Sequence, residues 1–135
     1  GGILGTGPYK NQRKEILDYW KAQMTSIAAC SNVFLKLGGI GMPMMGFRWD
    51  KRDRPADSVE LAEAWSDPIQ FAIEVFGAQR CMFESNFPVD KRGVGYVPLW
   101  NSFKRIAAGY SVQEKRDLFH DTAARAYRLP LLADA

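Results

Sequence analysis

The sequence predicts an α/β fold, and more narrowly the closing part of a parallel (β/α)8 barrel. Two short β-rich runs, residues 33–37 and 80–85, lie on either side of a long loop and a helical stretch. Strands joined by crossovers of that length pair in parallel. Two strands alone do not make a parallel sheet buried on both faces. A closed barrel takes about 250 residues, whereas this chain has 135. Residues 1–135 are therefore expected to be a single unit, the C-terminal portion of a larger barrel. The opening Gly1-Gly2-Ile3-Leu4-Gly5-Thr6-Gly7-Pro8, without an initiator Met, reads as the middle of a glycine-rich loop and points the same way. Gly5-Thr6-Gly7 is no phosphate loop, since the lysine and the Ser or Thr that would follow are missing.

The first element predicted is a helix over residues 9–29. Ile16, Leu17, Trp20, Met24 and Ile27 recur at spacings of three and four, with Arg13, Lys14, Asp18 and Lys21 turned outward. Val33-Phe34-Leu35-Lys36-Leu37 is the first strand, closed by Gly38-Gly39. Residues 38–56 hold no period and make a long loop rich in glycine, methionine and aromatic residues, long enough to suggest that it has work to do. Asp57 and Glu60 have the spacing of a capping box and open a helix that Gly77 stops; Pro68 is expected to bend it or to divide it in two. The second strand follows at 80–85, then a polar loop at 86–93 and a helix at 96–108. Ser111 with Glu114 caps another helix, and Asp121 or Thr122 is expected to cap a last one over 123–127 before Pro130.

Composition excludes several classes. Apolar residues make up 47% and charged residues 24% of the chain, the profile of a folded domain rather than a disordered or collagen-like one. No apolar run reaches the length of a membrane span. The net charge is +3, with the basic residues interleaved among acids, so nucleic acid is not expected as a partner. Lys51-Arg52-Asp53-Arg54 and Lys91-Arg92 read as solvated loops. Cys30 and Cys81 lack metal-type spacing and are expected to be buried thiols in a reducing, cytoplasmic protein, although spacing alone leaves a disulfide between them open.

Three stretches carry a resemblance. Val33-Phe34-Leu35-Lys36-Leu37-Gly38-Gly39-Ile40-Gly41-Met42-Pro43 resembles the seventh strand and following loop of the amidohydrolase-2 family, TIM-barrel metal-dependent hydrolases related to dicarboxylate lactonases. Gln79-Arg80-Cys81-Met82-Phe83-Glu84-Ser85-Asn86-Phe87-Pro88-Val89-Asp90 is similar to the eighth strand with its catalytic loop and is the most specific of the three. Residues 100–129, with Phe103-Lys104-Arg105 and Thr122-Ala123-Ala124-Arg125-Ala126-Tyr127-Arg128-Leu129, resemble the closing helices. The resemblance implies a divalent metal in the full-length parent, held by a His-x-His pair after the first strand and by histidines on later strands. None of these ligands maps onto this chain, whose only histidine is His120, so no metal is expected in the chain alone. Gly1-Gly2 falls just after the position of the strand-six histidine.

The family's strand-eight acid is replaced here by Asn86. A neutral amide is no general base, but it can hold a water or a substrate carbonyl. Asn86 and Asp90 are accordingly the expected catalytic residues, with Glu84 and Asp90 as the nearest carboxylates. Glu84 is also a candidate for substrate binding or for a pair with a basic neighbour such as Arg80. Lys36, inside the first strand, fits a substrate contact and a barrel-interior ion pair equally well. The Met42–Trp49 stretch could line a pocket for a flat or apolar substrate or form a satellite core, and Arg48 would suit a carboxylate on that substrate. His120 reads as a surface residue.

The expected function is that of the C-terminal part of an amidohydrolase-like hydrolase acting on a lactone, amide or related bond of a small organic acid, inactive as this chain alone. The competing expectation is a non-catalytic binding or assembly module derived from a truncated barrel, dimerising through its strand edges. Either way the bare half-barrel should self-associate, and a small molecule rather than a nucleic acid or membrane is the expected partner.

Overall fold

The computed structural model describes Tyr9 and residues 11–130; the glycine-rich opening lies outside the described residues. The helix α1 spans Arg13–Ala28, β1 Leu35–Leu37, α2 Ser58–Phe76, β2 Cys81–Phe83 and α3 Tyr96–Ile106. Two further helices, α4 (Val112–Arg116) and α5 (Thr122–Tyr127), are joined by a π-helical turn over Asp117–Asp121. The two strands pair in parallel, with Leu35 opposite Cys81 and Leu37 opposite Phe83, as the crossover length requires.

Both strands are shorter than their β-rich runs. The sheet has a single ladder, which the Glu84 N–H extends by one bond to Leu37 O at 3.3 Å. Val33 N–H instead closes a turn on the Cys30 carbonyl at 3.2 Å, and Arg80 belongs to a 3-10 turn, its N–H bonded to Gly77 O at 3.0 Å. Strand alternation then sorts the side chains. Leu37 and Phe83 face the helices, where the Phe83 ring stacks on Phe103 at 4.5 Å and lies 4.8 Å from Phe119. The opposite face carries Phe34, Lys36 and Glu84, and Phe34 is 42% exposed there.

The core lies between the sheet, α2 and α3. Trp65, Leu61, Leu99, Phe103 and Leu118 are fully buried in it. Asp57 caps α2 as its spacing foretold, accepting from the Val59 and Glu60 N–H groups while Glu60 returns a bond to the Asp57 N–H. Pro68, however, does not divide α2 in two. The helix runs unbroken for 19 residues. A proline inside a helix costs about 3 kcal/mol, but Trp65, Ile69, Ile73 and Phe76 are all buried along this one face, and each such side chain contributes roughly 1.5–3 kcal/mol on burial. The C-terminal expectation also needs correction. Neither Asp121 nor Thr122 caps a separate helix, because the chain stays helical from Val112 through the π turn to Tyr127. Thr122 instead donates its hydroxyl to Ala78 O at 3.1 Å.

Two arginines fix where β2 begins. Arg80 donates to the carbonyls of Ala28, Cys30 and Phe76, each at 2.9 Å, tying the C-terminal ends of α1 and α2 to the sheet. From the other side Arg125 donates to Gln79 O and to Asp117 Oδ1, both at 2.9 Å. Cys81, 0% exposed, is a buried thiol as expected, and burial pushes its pKa up to about 12, so it is no nucleophile. Cys30 departs from expectation. It lies exposed after α1, and neither cysteine is in a disulfide.

Candidate functional site

The loops that leave the C-terminal ends of β1 and β2 meet, and their contact is built on Asp90. This carboxylate is 0% exposed. Its Oδ1 accepts from Asn86 Nδ2 at 2.7 Å, and its Oδ2 accepts from the backbone N–H of Gly41 at 3.1 Å. The 3-10 turn Val89–Arg92 presents the carboxylate, and the Val89 and Asp90 N–H groups both bond back to Asn86 O. Asn86 itself adopts a left-handed backbone, φ 51°, a conformation that asparagine tolerates better than most residues. The Phe87–Pro88 peptide that follows is cis. The backbones also touch. A Cβ on Gly93 would overlap the Gly41 carbonyl oxygen, so only glycine lets the loops approach this closely.

Burial of Asp90 raises its pKa above the ordinary carboxylate value, and the charge of Glu84 adds to the rise. The bonds from Asn86 and Gly41 act in the opposite direction without cancelling it. Asp90 thus gives up hydration to hold two loops together. Asp90 has no exposed surface of its own and sits behind Asn86. Only one Nδ2 hydrogen of Asn86 is spent on Asp90, and Asn86 remains partly exposed.

Glu84 and Lys36 form an ion pair, Nζ to Oε2 at 2.7 Å, with the side chains 25% and 50% exposed. The hydrogen bond and charge of Glu84 hold the Lys36 pKa above its usual value. The partner of Glu84 is therefore Lys36 across the ladder and not Arg80, which is committed to three carbonyls. Gly38 allows the pair to sit where it does: a Cβ there would overlap both the Glu84 Cγ and the Glu84 carbonyl oxygen.

The long loop after β1 divides its duties. Phe47 stacks on Trp49 at 5.6 Å and meets Trp65 edge-on at 6.3 Å, making the satellite core. Met45 lines a cavity of about 220 Å3 under β1, shared with Trp20, Met24 and Ile69. Trp49 walls an open cleft of about 640 Å3 between the two loops. Arg48 is exposed with φ 59° and does not line that cleft. His120 is on the surface, with Nδ1 2.7 Å from Asp121 Oδ1. Among the described residues no group of three or more His, Cys, Asp or Glu could hold a metal ion. The residues present thus do not fit a divalent metal centre by themselves. Among the described residues no helix is long and apolar enough to cross a membrane.

The sequence model of the amidohydrolase family matches residues 5–129. The chain belongs to the amidohydrolase family. This member is 39% identical over 110 residues to the y4mH protein of Sinorhizobium fredii, covering 82% of this chain and 33% of that protein. It is 32% identical over 117 residues to an L-fucono-1,5-lactonase of Burkholderia multivorans, covering 86% of this chain and 37% of the lactonase. The chain therefore spans about a third of the length of these curated relatives. Among solved structures it is similar to an amidohydrolase of Burkholderia multivorans with bound zinc (TM-score 0.74, 29% identity, 86% of this chain and 39% of that one). A second structure, of an amidohydrolase from the same organism with bound HEPES, gives TM-score 0.76 and 28% identity over 89% of this chain and 40% of the other.

In this family member the structure brings Lys36, Glu84, Asn86 and Asp90 to one end of the strand pair, and Arg48 lies exposed on the β1 loop. Sequence reasoning missed Gly41 as the second partner of Asp90. The two lie 49 positions apart, and a backbone N–H carries no side-chain signal.

Proposed function

We propose that the chain is the C-terminal part of a (β/α)8 hydrolase, with β1 and β2 as its seventh and eighth strands, that opens a lactone, amide or related bond of a small organic acid. Membership of the amidohydrolase family, similarity to a lactonase and coverage of only 33–40% of the matched proteins support this reading. The exposed Phe34 beside Lys36 fits a face that further barrel strands cover. The observation that carries the proposal is Asn86, held at the end of β2 by a fully buried carboxylate, because barrel enzymes place their chemistry at the C-terminal ends of the strands.

For a lactone the reaction adds water to the carbonyl carbon, breaks the bond to the ring oxygen, and leaves a hydroxy acid. Asn86 has one Nδ2 hydrogen and its Oδ1 available to orient the attacking water or the substrate carbonyl, and Asp90 acts as its positioning residue. Lys36 and Glu84 offer a cation and a carboxylate to substrate polar groups beside it, and the exposed Arg48 is a further candidate for a substrate carboxylate. Among the described residues no group of three or more His, Cys, Asp or Glu could hold a metal ion, and no step is routed through one here. The partner proposed is a small molecule, not nucleic acid or a membrane, in a reducing, cytoplasmic setting. Self-association of the bare chain through its open sheet edges follows from the same reading.

The test is to assay the protein carrying this chain within a whole barrel against L-fucono-1,5-lactone and a panel of sugar lactones, esters and amides, following carboxylate release. Hydrolysis of at least one class is expected. Inertness toward every class, in a folded protein supplied with zinc, would overturn the proposal.

A further inference from the structure

The cleft between the two loops has features that the hydrolytic reading does not use. Its volume, about 640 Å3, lies in the range of small-molecule sites, roughly 300–1,000 Å3. Trp49 comes from the β1 loop, Phe87 from the β2 loop and Tyr96 from the first turn of α3. The Phe87 and Tyr96 rings meet edge-on at 5.1 Å, so two sides of the cleft are aromatic and held in place. Arg52 lies over the Trp49 ring, 5.3 Å from its centroid, and is neutralised by Glu60 at 2.8 Å. Lys91 and Arg92 also line the cleft, and both are exposed. Among the described residues no carboxylate pairs with either of them. Asp50, the single acid of the lining, lies 3.5 Å from Lys51.

We propose that this cleft binds a small organic carboxylate carried on a flat ring, with the ring held among Trp49, Phe87 and Tyr96 and the carboxylate facing Lys91 and Arg92. Aromatic walls favour a planar apolar body, and two unpaired cations favour a negative charge. A cationic ligand, which such rings would otherwise suit, is repelled by the unpaired Lys91 and Arg92 at the rim. The site lies beside Asn86 but shares no residue with the Lys36, Glu84, Asn86 and Asp90 group, and its occupancy does not depend on hydrolysis.

Isothermal titration of the full chain with benzoate tests this, with benzamide as the uncharged match and inorganic phosphate as the anion without a ring. Benzoate should bind with a Kd of about 0.1–1 mM. Benzamide and phosphate should each bind at least about tenfold more weakly, the scale of one charge-assisted contact. The double variant Lys91→Gln/Arg92→Gln changes only exposed side chains and should weaken benzoate about tenfold while leaving the thermal midpoint unchanged. The charge-matched control Arg13→Gln/Lys104→Gln should bind as the native chain does. Absence of benzoate binding, binding of benzamide or of phosphate as tight as that of benzoate, or equal loss in both double variants would overturn the assignment.

Discussion

Asn86 Nδ2 donates to Asp90 Oδ1 at 2.7 Å, across one turn of a loop whose other end is fastened to Gly41 in a different strand–loop unit. A side chain at the end of β2 is thereby held from β1. Replacing Asp90 by Ala strands the Asn86 amide and the Gly41 N–H together, and should destabilise the fold by about 2–4 kcal/mol in urea denaturation. Asp90→Asn keeps one acceptor and should cost roughly half as much. A loss below about 0.5 kcal/mol for the alanine variant would show that the loops are held by other means.

The same residue sets a pH dependence. Its pKa is raised in the folded state by burial, so the native chain binds a proton over a range in which the unfolded chain has released it. The Asp90 contribution is most favourable below the ordinary carboxylate range and is lost as pH rises through the raised pKa. The stability of native protein minus that of Asp90→Asn should therefore fall as pH climbs out of the ordinary carboxylate range. A difference that rises over that window would reverse the assigned sign.

Gly38 is predicted to be intolerant of a methyl group. A Cβ there meets the Glu84 carbonyl oxygen as well as its flexible Cγ, and the backbone atom cannot swing away. Gly38→Ala should cost about 1–3 kcal/mol. It should also bring the Lys36 pKa back toward its usual value by displacing Glu84, a change that NMR titration of the Lys36 side chain would read.

Arg80→Ala removes three bonds to carbonyls of two helices. The expected loss is about 1.5–3 kcal/mol, with amide exchange accelerating at the C-terminal end of α1. Arg80→Lys should recover little of it, since an ammonium lacks the planar fork that spans three acceptors.

Much of this architecture was legible in the sequence because it rests on local chemistry. The capping boxes at Asp57 and Ser111 were visible from spacing alone and are present. The parallel pairing followed from the length of the crossover. The elements that misled depend on distant residues. Pro68 sits in an unbroken helix because the burial of Trp65, Ile69 and Phe76 outweighs its missing bond. The separate last helix expected after Thr122 merges with α4 through a π turn. At the site, motif reading named Lys36, Glu84, Asn86, Asp90 and Arg48 as candidates. Only the fold shows that Asp90 is buried behind Asn86, that Lys36 and not Arg80 meets Glu84, and that the Lys91-Arg92 run lines an aromatic cleft.

The measurement that bears most directly on the account is steady-state hydrolysis, in the protein carrying a whole barrel, of its best lactone or amide substrate by native enzyme, Asn86→Ala and Asp90→Asn. If Asn86 contacts the reacting groups and Asp90 positions it, Asn86→Ala should lower kcat by about a hundredfold with little change in thermal midpoint. Asp90→Asn should lower kcat less and the midpoint more. An Asn86→Ala enzyme with native kcat and KM would contradict the account.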